Sequence, residues 1–194
     1  MNLPNKLTVL RACLVPVFMV VLLLPVIPLK IACLVGAIVF ALTAFTDMLD
    51  GKIARKHNLV TDFGKFMDPL ADKVMVICSL LAIMVRLDYL ADALVWVTAI
   101  VVFRELAVTS LRLVAAGKEG VVIAAAFLGK LKTVTQIVCI VSMLLEPVIF
   151  PESWTVFSQY HLLSYVTMAA MTVMTLWSGI DYMRKYWKFL DPAK

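Results

Sequence analysis

Long apolar stretches separated by short polar breaks run the length of the chain, and they predict its architecture before any single residue is weighed. A membrane-crossing helix needs about 20 mostly apolar residues. Six stretches meet that need, near residues 7–27, 31–52, 67–86, 92–115, 130–150 and 161–183. The third opens on Asp68, Asp72 and Lys73, and the fourth contains Arg104 and Glu105, so a plain hydropathy window scores both poorly. Their flanking apolar runs are nevertheless long enough to span. The expectation is an all-α, polytopic integral membrane protein with six transmembrane helices. No internal repeat, low-complexity tract or linker marks a second unit, so a single membrane domain is expected over residues 1–194. The longest break, 114–129, predicts a turn followed by a short helix lying along the interface.

Composition excludes the soluble alternative. The chain is 63% hydrophobic and 16% charged, with a mean hydropathy of +0.98, whereas soluble domains run near 45–50% apolar and about a quarter charged. A net charge of +5 would suggest nucleic acid in a soluble protein. Here it follows from the excess of cations on the inner side of membrane proteins, and no nucleic-acid partner is expected. Six spans put both termini on one side. Of the 18 lysines and arginines, all but Lys30 and Arg86 fall on that side, which makes it cytoplasmic. The expected location is the cell membrane, with both termini in the cytoplasm.

The same charges sort the smaller features. Asp88, Asp92, Glu146 and Glu152 fall in the outer loops. Tyr182, Tyr186 and Trp187, set among Arg184, Lys185 and Lys188, suggest an interfacial anchor. Cys13, Cys33, Cys78 and Cys139 lie inside apolar runs without metal-ligand spacing and serve as small hydrophobes. His57 and His161 are a loop and an interfacial residue rather than ligands. Lys6 and Arg11 precede an apolar run as in a signal peptide, but no small-residue cleavage site follows, so a retained first helix is expected.

Against this background, two acidic clusters stand out: Asp47-Met48-Leu49-Asp50-Gly51 and Asp68-Pro69-Leu70-Ala71-Asp72. Carboxylates at a membrane edge cost a few kcal/mol each unless something neutralises them, which makes them functional candidates. Spacings of three and four put each pair on one helix face. If the two helices are neighbours, four hard oxygen donors converge, and that number suits a pair of divalent cations.

Read together, residues 47–72 match the pattern D-x-x-D-G-x-x-A-R-x8-G-x-x-x-D-x-x-x-D, through Asp47, Asp50, Gly51, Ala54, Arg55, Gly64, Asp68 and Asp72. This resembles the signature of the CDP-alcohol phosphatidyltransferase family, whose members pass a phosphatidyl group from CDP-diacylglycerol to an alcohol and release CMP. The resemblance implies two divalent cations, Mg²⁺ or Mn²⁺, held by Asp47, Asp50 and Asp68, with Asp72 shared between metal and base. Each position also has a physical reason. Gly51, Ala54 and Gly64 remove bulk, letting a base or diphosphate approach the backbone. Arg55 offers a fork to a phosphate or a carboxylate. Asp72, the last carboxylate, is the best-placed general base for a substrate hydroxyl. The family resemblance further implies a homodimer among membrane lipids.

Outside the signature, the opening Asn5-Lys6-Leu7-Thr8-Val9-Leu10-Arg11, the segment Arg104-Glu105-Leu106 with Arg112, and Phe127-Leu128-Gly129-Lys130-Leu131-Lys132-Thr133 resemble the branch of the family whose acceptor is glycerol 3-phosphate. On that resemblance Asn5 and Thr8 join the CDP-lipid site. Arg104 and Arg112 lie eight residues apart, about two helical turns, and so share a face. With Lys130 and Lys132 they form a basic cluster that suits an acceptor carrying its own phosphate, with Glu105 available to orient Arg104. Inositol phosphate is the rival acceptor. An ion-coupled transporter is the reading from another class, but its acids would sit at mid-membrane among inverted repeats, and here they cluster at one end.

Overall fold

Six long helices occupy the six apolar stretches. The computed structural model describes residues 2–56, 61–116, 127–150 and 153–187, with the side chains of residues 47–56 outside the described set. In chain order the elements are α1 (Leu3–Leu23), α2 (Leu29–Lys56), α3 (Asp62–Arg86), a 3-10 turn (Asp88–Leu90), α4 (Ala91–Ala116), α5 (Phe127–Ile149), the single turn α6 (Thr155–Ser158) and α7 (Leu162–Tyr186). No strand occurs among the described residues. Helices α1, α2 and α3 overrun the apolar stretches at one end, because the backbone stays helical through polar turns that hydropathy cannot register. The interfacial helix expected within 114–129 falls largely on residues outside the described set.

Among the described residues, five helical stretches are long and apolar enough to cross a membrane: Asn5–Leu23, Leu29–Thr46, Asp88–Arg112, Phe127–Ile149 and Leu162–Tyr186. The fourth stretch therefore passes despite Arg104 and Glu105, contrary to the expectation, because the apolar run ahead of them outweighs two charges. Helix α3 does not pass. Its first half is the acidic face, and its apolar half begins only at Val74.

The helices close into a ring. Helix α1 packs against α2 and α3, α2 against α5, α5 against α7, α7 against α4, and α4 back onto α3, with α3 and α5 also touching. The core is apolar and tight. Phe18 and Phe40 meet with ring centroids 6.2 Å apart, and Leu22, Leu80, Ile83, Ile140, Met143 and Leu144 are fully buried around them. The outer surface is apolar as well: Trp96 is 73% exposed and Phe103 76%. In a bilayer such residues gain nothing by turning inward, so packing and interhelical polar contacts hold the bundle together.

Polar ties at both ends fix the directions of the helices. At one end Arg86 Nη2 donates to the carbonyl of Ile27, and Glu146 accepts from the backbone N–H groups of Leu163 and Ser164, at 3.0 and 3.2 Å, and from the Ser164 hydroxyl. Glu146 thus lies in the last turns of α5 rather than in an outer loop. It is buried because it caps the exposed N–H groups and positive dipole end of α7. At the other end meet the starts of α1, α3 and α5 and the ends of α4 and α7, so consecutive long helices alternate in direction. The first turn of α1 and the last of α7 share this second end.

Candidate active site

A cavity of about 400 Å³ opens inside the ring at the end shared by α1 and α7, and described residues of five helices line it. Helix α3 contributes Asp68, Asp72 and Lys73, α4 contributes Arg104, Glu105 and Arg112, α5 contributes Lys130, Lys132 and Gln136, α7 contributes Tyr182, and α2 contributes Phe40 and Ala44. An acidic wall therefore faces a basic one across a small volume.

The acidic wall is built by a polar seam between α1 and α3. Thr61 caps α3, its hydroxyl accepting from Gly64 N at 3.1 Å and donating to Asn5 Oδ1 at 2.9 Å. One turn on, Thr8 Oγ1 donates to Asp68 Oδ1 at 2.6 Å, a short charge-assisted bond. One turn further, Arg11 Nη1 donates to Asp72 Oδ1 at 2.6 Å. Gly64 makes this approach feasible: a Cβ there would meet Asn5 Oδ1 at 3.3 Å and Thr61 Oγ1 at 3.4 Å. Of Asn5 and Thr8, expected at the CDP-lipid, Asn5 accepts from the cap residue Thr61 and Thr8 donates to Asp68. Asp68 and Asp72 lie one turn apart and both reach the cavity. The side chains of Asp47, Asp50, Gly51, Ala54 and Arg55 lie outside the described set, although the backbone of α2 is helical through all five positions. Among the described residues no three metal-binding side chains converge. The Asp68–Asp72 pair supplies hard oxygen donors of the kind that Mg²⁺ or Mn²⁺ accepts.

The basic wall has its own internal order. Glu105 accepts from Arg104 Nη1 at 3.1 Å and from Lys132 Nζ, and all three side chains are at least 87% buried. Buried charges of this kind persist only when paired. Arg112 and Lys130 are exposed toward the cavity. Arg112 Nη2 donates to Tyr182 Oη at 2.6 Å and its guanidinium lies 5.0 Å from the centre of the Tyr182 ring; that of Arg104 lies 5.9 Å away. The four predicted cations are thus brought together, but they are not equivalent: two are tied to Glu105 and two face the cavity.

Three contributors escaped sequence reasoning. Tyr182 is 1% exposed and holds Arg112, so it is not part of an interfacial anchor; its position one turn before Tyr186 concealed that role. Arg11, read as an inner-side cation and as the last residue of the opening motif but given no role at the site, is fully buried against Asp72. Gln136 is buried at the cavity, two turns beyond Gly129 on α5. A larger groove, about 870 Å³, runs along α4 and α7, but apolar side chains such as Trp96, Phe103 and Ile180 dominate its walls, and no carboxylate is among the described residues that line it. It shares Arg104 with the smaller cavity.

Comparison with known proteins gives the family. Residues 1–177 match the profile of the CDP-alcohol phosphatidyltransferases, and the chain belongs to that family. It is 42% identical over 201 residues to the CDP-diacylglycerol–glycerol-3-phosphate 3-phosphatidyltransferase of Bacillus subtilis strain 168, covering 99% of this chain and 98% of that protein. It is 39% identical over 184 residues to a probable phosphatidylglycerophosphate synthase of Mycobacterium tuberculosis strain H37Rv, covering 95% and 81%. The Yersinia enterocolitica protein bearing the same name as the Bacillus enzyme is 34% identical over 195 residues, covering 99% of each chain.

Proposed function

We propose that this protein transfers the phosphatidyl group of CDP-diacylglycerol to sn-glycerol 3-phosphate, giving phosphatidylglycerophosphate and CMP. The observation that carries this reading is the pairing, within one cavity, of the Asp68–Asp72 wall with the Arg104, Arg112, Lys130 and Lys132 wall. The names of full-length relatives support the same reaction and the same acceptor.

In this reading, Arg112 and Lys130 bind the acceptor phosphate, while Glu105 holds Arg104 and Lys132 behind them. The acceptor hydroxyl then points across the cavity at Asp72. Asp72 takes its proton as the oxygen attacks the phosphatidyl phosphorus, the bond from that phosphorus to the CMP oxygen breaks, and the electron pair leaves with CMP. Asp47, Asp50 and Asp68, with Asp72, would hold two divalent cations, whose bound charge offsets that of the diphosphate and polarises the phosphorus. Gly51, Ala54, Arg55, Gly64, Asn5 and Thr8 form the CDP-lipid side, with Thr8 acting through Asp68.

The setting follows from charge and helix direction. All six long helices cross the cell membrane as one domain, α3 with its acidic half at the cytoplasmic edge. Both termini and the cavity then face the cytoplasm, where the inner-side cations collect. The assembly expected from the family is a homodimer.

The deciding experiment incubates the purified protein with CDP-diacylglycerol, Mg²⁺ or Mn²⁺ and a panel of alcohols, and measures CMP release. Glycerol 3-phosphate should be strongly preferred over glycerol, serine and inositol 1-phosphate. Equal turnover of inositol 1-phosphate would move the acceptor assignment, and CMP release independent of divalent cation would remove the metal assignment.

A further inference from the structure

Gln136 is the one uncharged amide among the described residues that line the cavity. It lies on α5 one turn past Lys132, and about 9 Å further along the helix axis than Lys130. That places it at the inner end of the cavity, which Phe40, Met75, Val76 and Ile137 also line. Gln136 is 1% exposed, and its Nε2 has no hydrogen-bond partner among the described residues. The four inner-end side chains are apolar and offer it none, and the Thr133 hydroxyl turns back to donate to the carbonyl of Gly129. A buried amide left in this way is a cost to folding that a methionine of similar length would avoid.

We infer that Gln136 binds the secondary hydroxyl of the acceptor, its amide N–H donating to that oxygen, and so sets which three-carbon phosphate the site accepts. This rests on the proposed function, in which Arg112 and Lys130 hold the phosphate and the attacking hydroxyl faces Asp72. One polar group of sn-glycerol 3-phosphate is then left, the hydroxyl on its middle carbon. Helix α5 touches α3, so the inner end of the cavity receives Gln136 from one side and the α3 wall from the other. An uncharged amide suits an uncharged oxygen there: a cation would draw the phosphate inward, and a carboxylate would repel it.

Two consequences follow that a merely structural role would not produce. A site built to pair with a hydroxyl discriminates against an analogue that lacks it, so 3-hydroxypropyl phosphate, the acceptor without its middle hydroxyl, should be the poorer substrate by about tenfold in kcat/KM, the worth of one buried hydrogen bond. Phosphate, attacking hydroxyl and middle hydroxyl are also three points around a single stereocentre. The same contact therefore separates the acceptor from its mirror image, sn-glycerol 1-phosphate, which cannot present all three at once.

The test measures CMP release from CDP-diacylglycerol by purified wild type, Gln136→Met and Gln136→Asn with each of the three phosphates, and the Tm of each protein in detergent. Gln136→Met should lower kcat/KM for sn-glycerol 3-phosphate by about tenfold and leave that for 3-hydroxypropyl phosphate within about twofold of wild type. Both preferences should narrow toward parity, the KM for CDP-diacylglycerol should hold, and the Tm should stay level or rise. Gln136→Asn withdraws the amide by one methylene and should lose the same preferences, so it decides if Gln136→Met fails to fold. Equal turnover of sn-glycerol 3-phosphate and 3-hydroxypropyl phosphate by wild type would overturn the inference, as would either preference surviving intact in the variants or an equal loss with all acceptors. An ester carbonyl of the donor offers the same uncharged oxygen; a raised KM for CDP-diacylglycerol would assign Gln136 to it and overturn the inference too. These failures leave the proposed function standing, whereas a wild type that cannot use sn-glycerol 3-phosphate at all would defeat both.

Discussion

Glu105 is the place where a single uncharged substitution should do the most damage to the basic wall. It sits between Arg104 and Lys132, with side-chain exposures of 13%, 10% and 7% for the three in that order. Glu105→Gln keeps the shape but leaves two cations together with no compensating charge. Breaking a buried pair in this way costs roughly 3–5 kcal/mol. At about 2–4 °C of Tm per kcal/mol for a chain of this length, a loss of ~3 kcal/mol predicts a fall of roughly 6–12 °C. Thermal unfolding in detergent, followed by tryptophan fluorescence, reads this directly. The mechanism makes a sharper demand: adding Lys132→Met to Glu105→Gln should recover much of the lost Tm, because the penalty is an unpaired charge rather than a lost contact. Glycerol 3-phosphate, whose phosphate can replace the missing carboxylate, should raise the Tm of Glu105→Gln more than that of wild type. If the double variant were no more stable than Glu105→Gln, unpaired charge would not be the cause and the reasoning would fail.

Other outcomes follow from individual contacts. Tyr182→Phe removes the acceptor 2.6 Å from Arg112, so the KM for glycerol 3-phosphate should rise by about tenfold, the worth of a hydrogen bond to a charged group, with the KM for CDP-diacylglycerol unchanged in the same steady-state assay. Gly179→Ala places a Cβ 3.1 Å from Arg104 Cγ; the Arg104 stem must shift, and steady-state kinetics should show a raised acceptor KM with little change in Tm. Thr8→Val removes the bond to Asp68, and CMP-release assays should then need more Mn²⁺ for half-maximal activity. In a background without the native cysteines, Lys118→Cys should react with an impermeant thiol reagent only from the cytoplasmic side and Asp88→Cys only from outside; the reverse would overturn the orientation.

The sequence was most legible where a property repeats along it. Apolar runs located all six long helices, and fixed spacing singled out the acidic segment. What stayed hidden was partner choice between distant residues. Arg11 with Asp72, Glu105 with Lys132 and Arg112 with Tyr182 are separated by 61, 27 and 70 residues, and no periodicity encodes such pairs. Charge counting put Arg11 and Lys132 on one side but could not, by itself, tell either from a surface lysine. The same counting put Glu146 in a loop, because a carboxylate capping a neighbouring helix resembles one in water. Helix α3 shows the converse: its acidic face lowers its apolar score, yet that face is what the ring is built around.

The pairing of α1 with α3 also has a consequence for how the chain is made. Arg11 enters the bilayer edge as part of the first helix, but Asp72 is synthesised 61 residues later. At roughly 5–20 residues per second, that leaves an interval of about 3–12 s in which the guanidinium must reach back to headgroups and water, as long basic side chains near helix ends do. The first two helices can pack on each other meanwhile, but α1 cannot settle to its final depth until α3 arrives. Assembly of the bundle is therefore gated by its third helix, and a nascent chain stalled before residue 72 should hold its first helix shallower than the finished protein does.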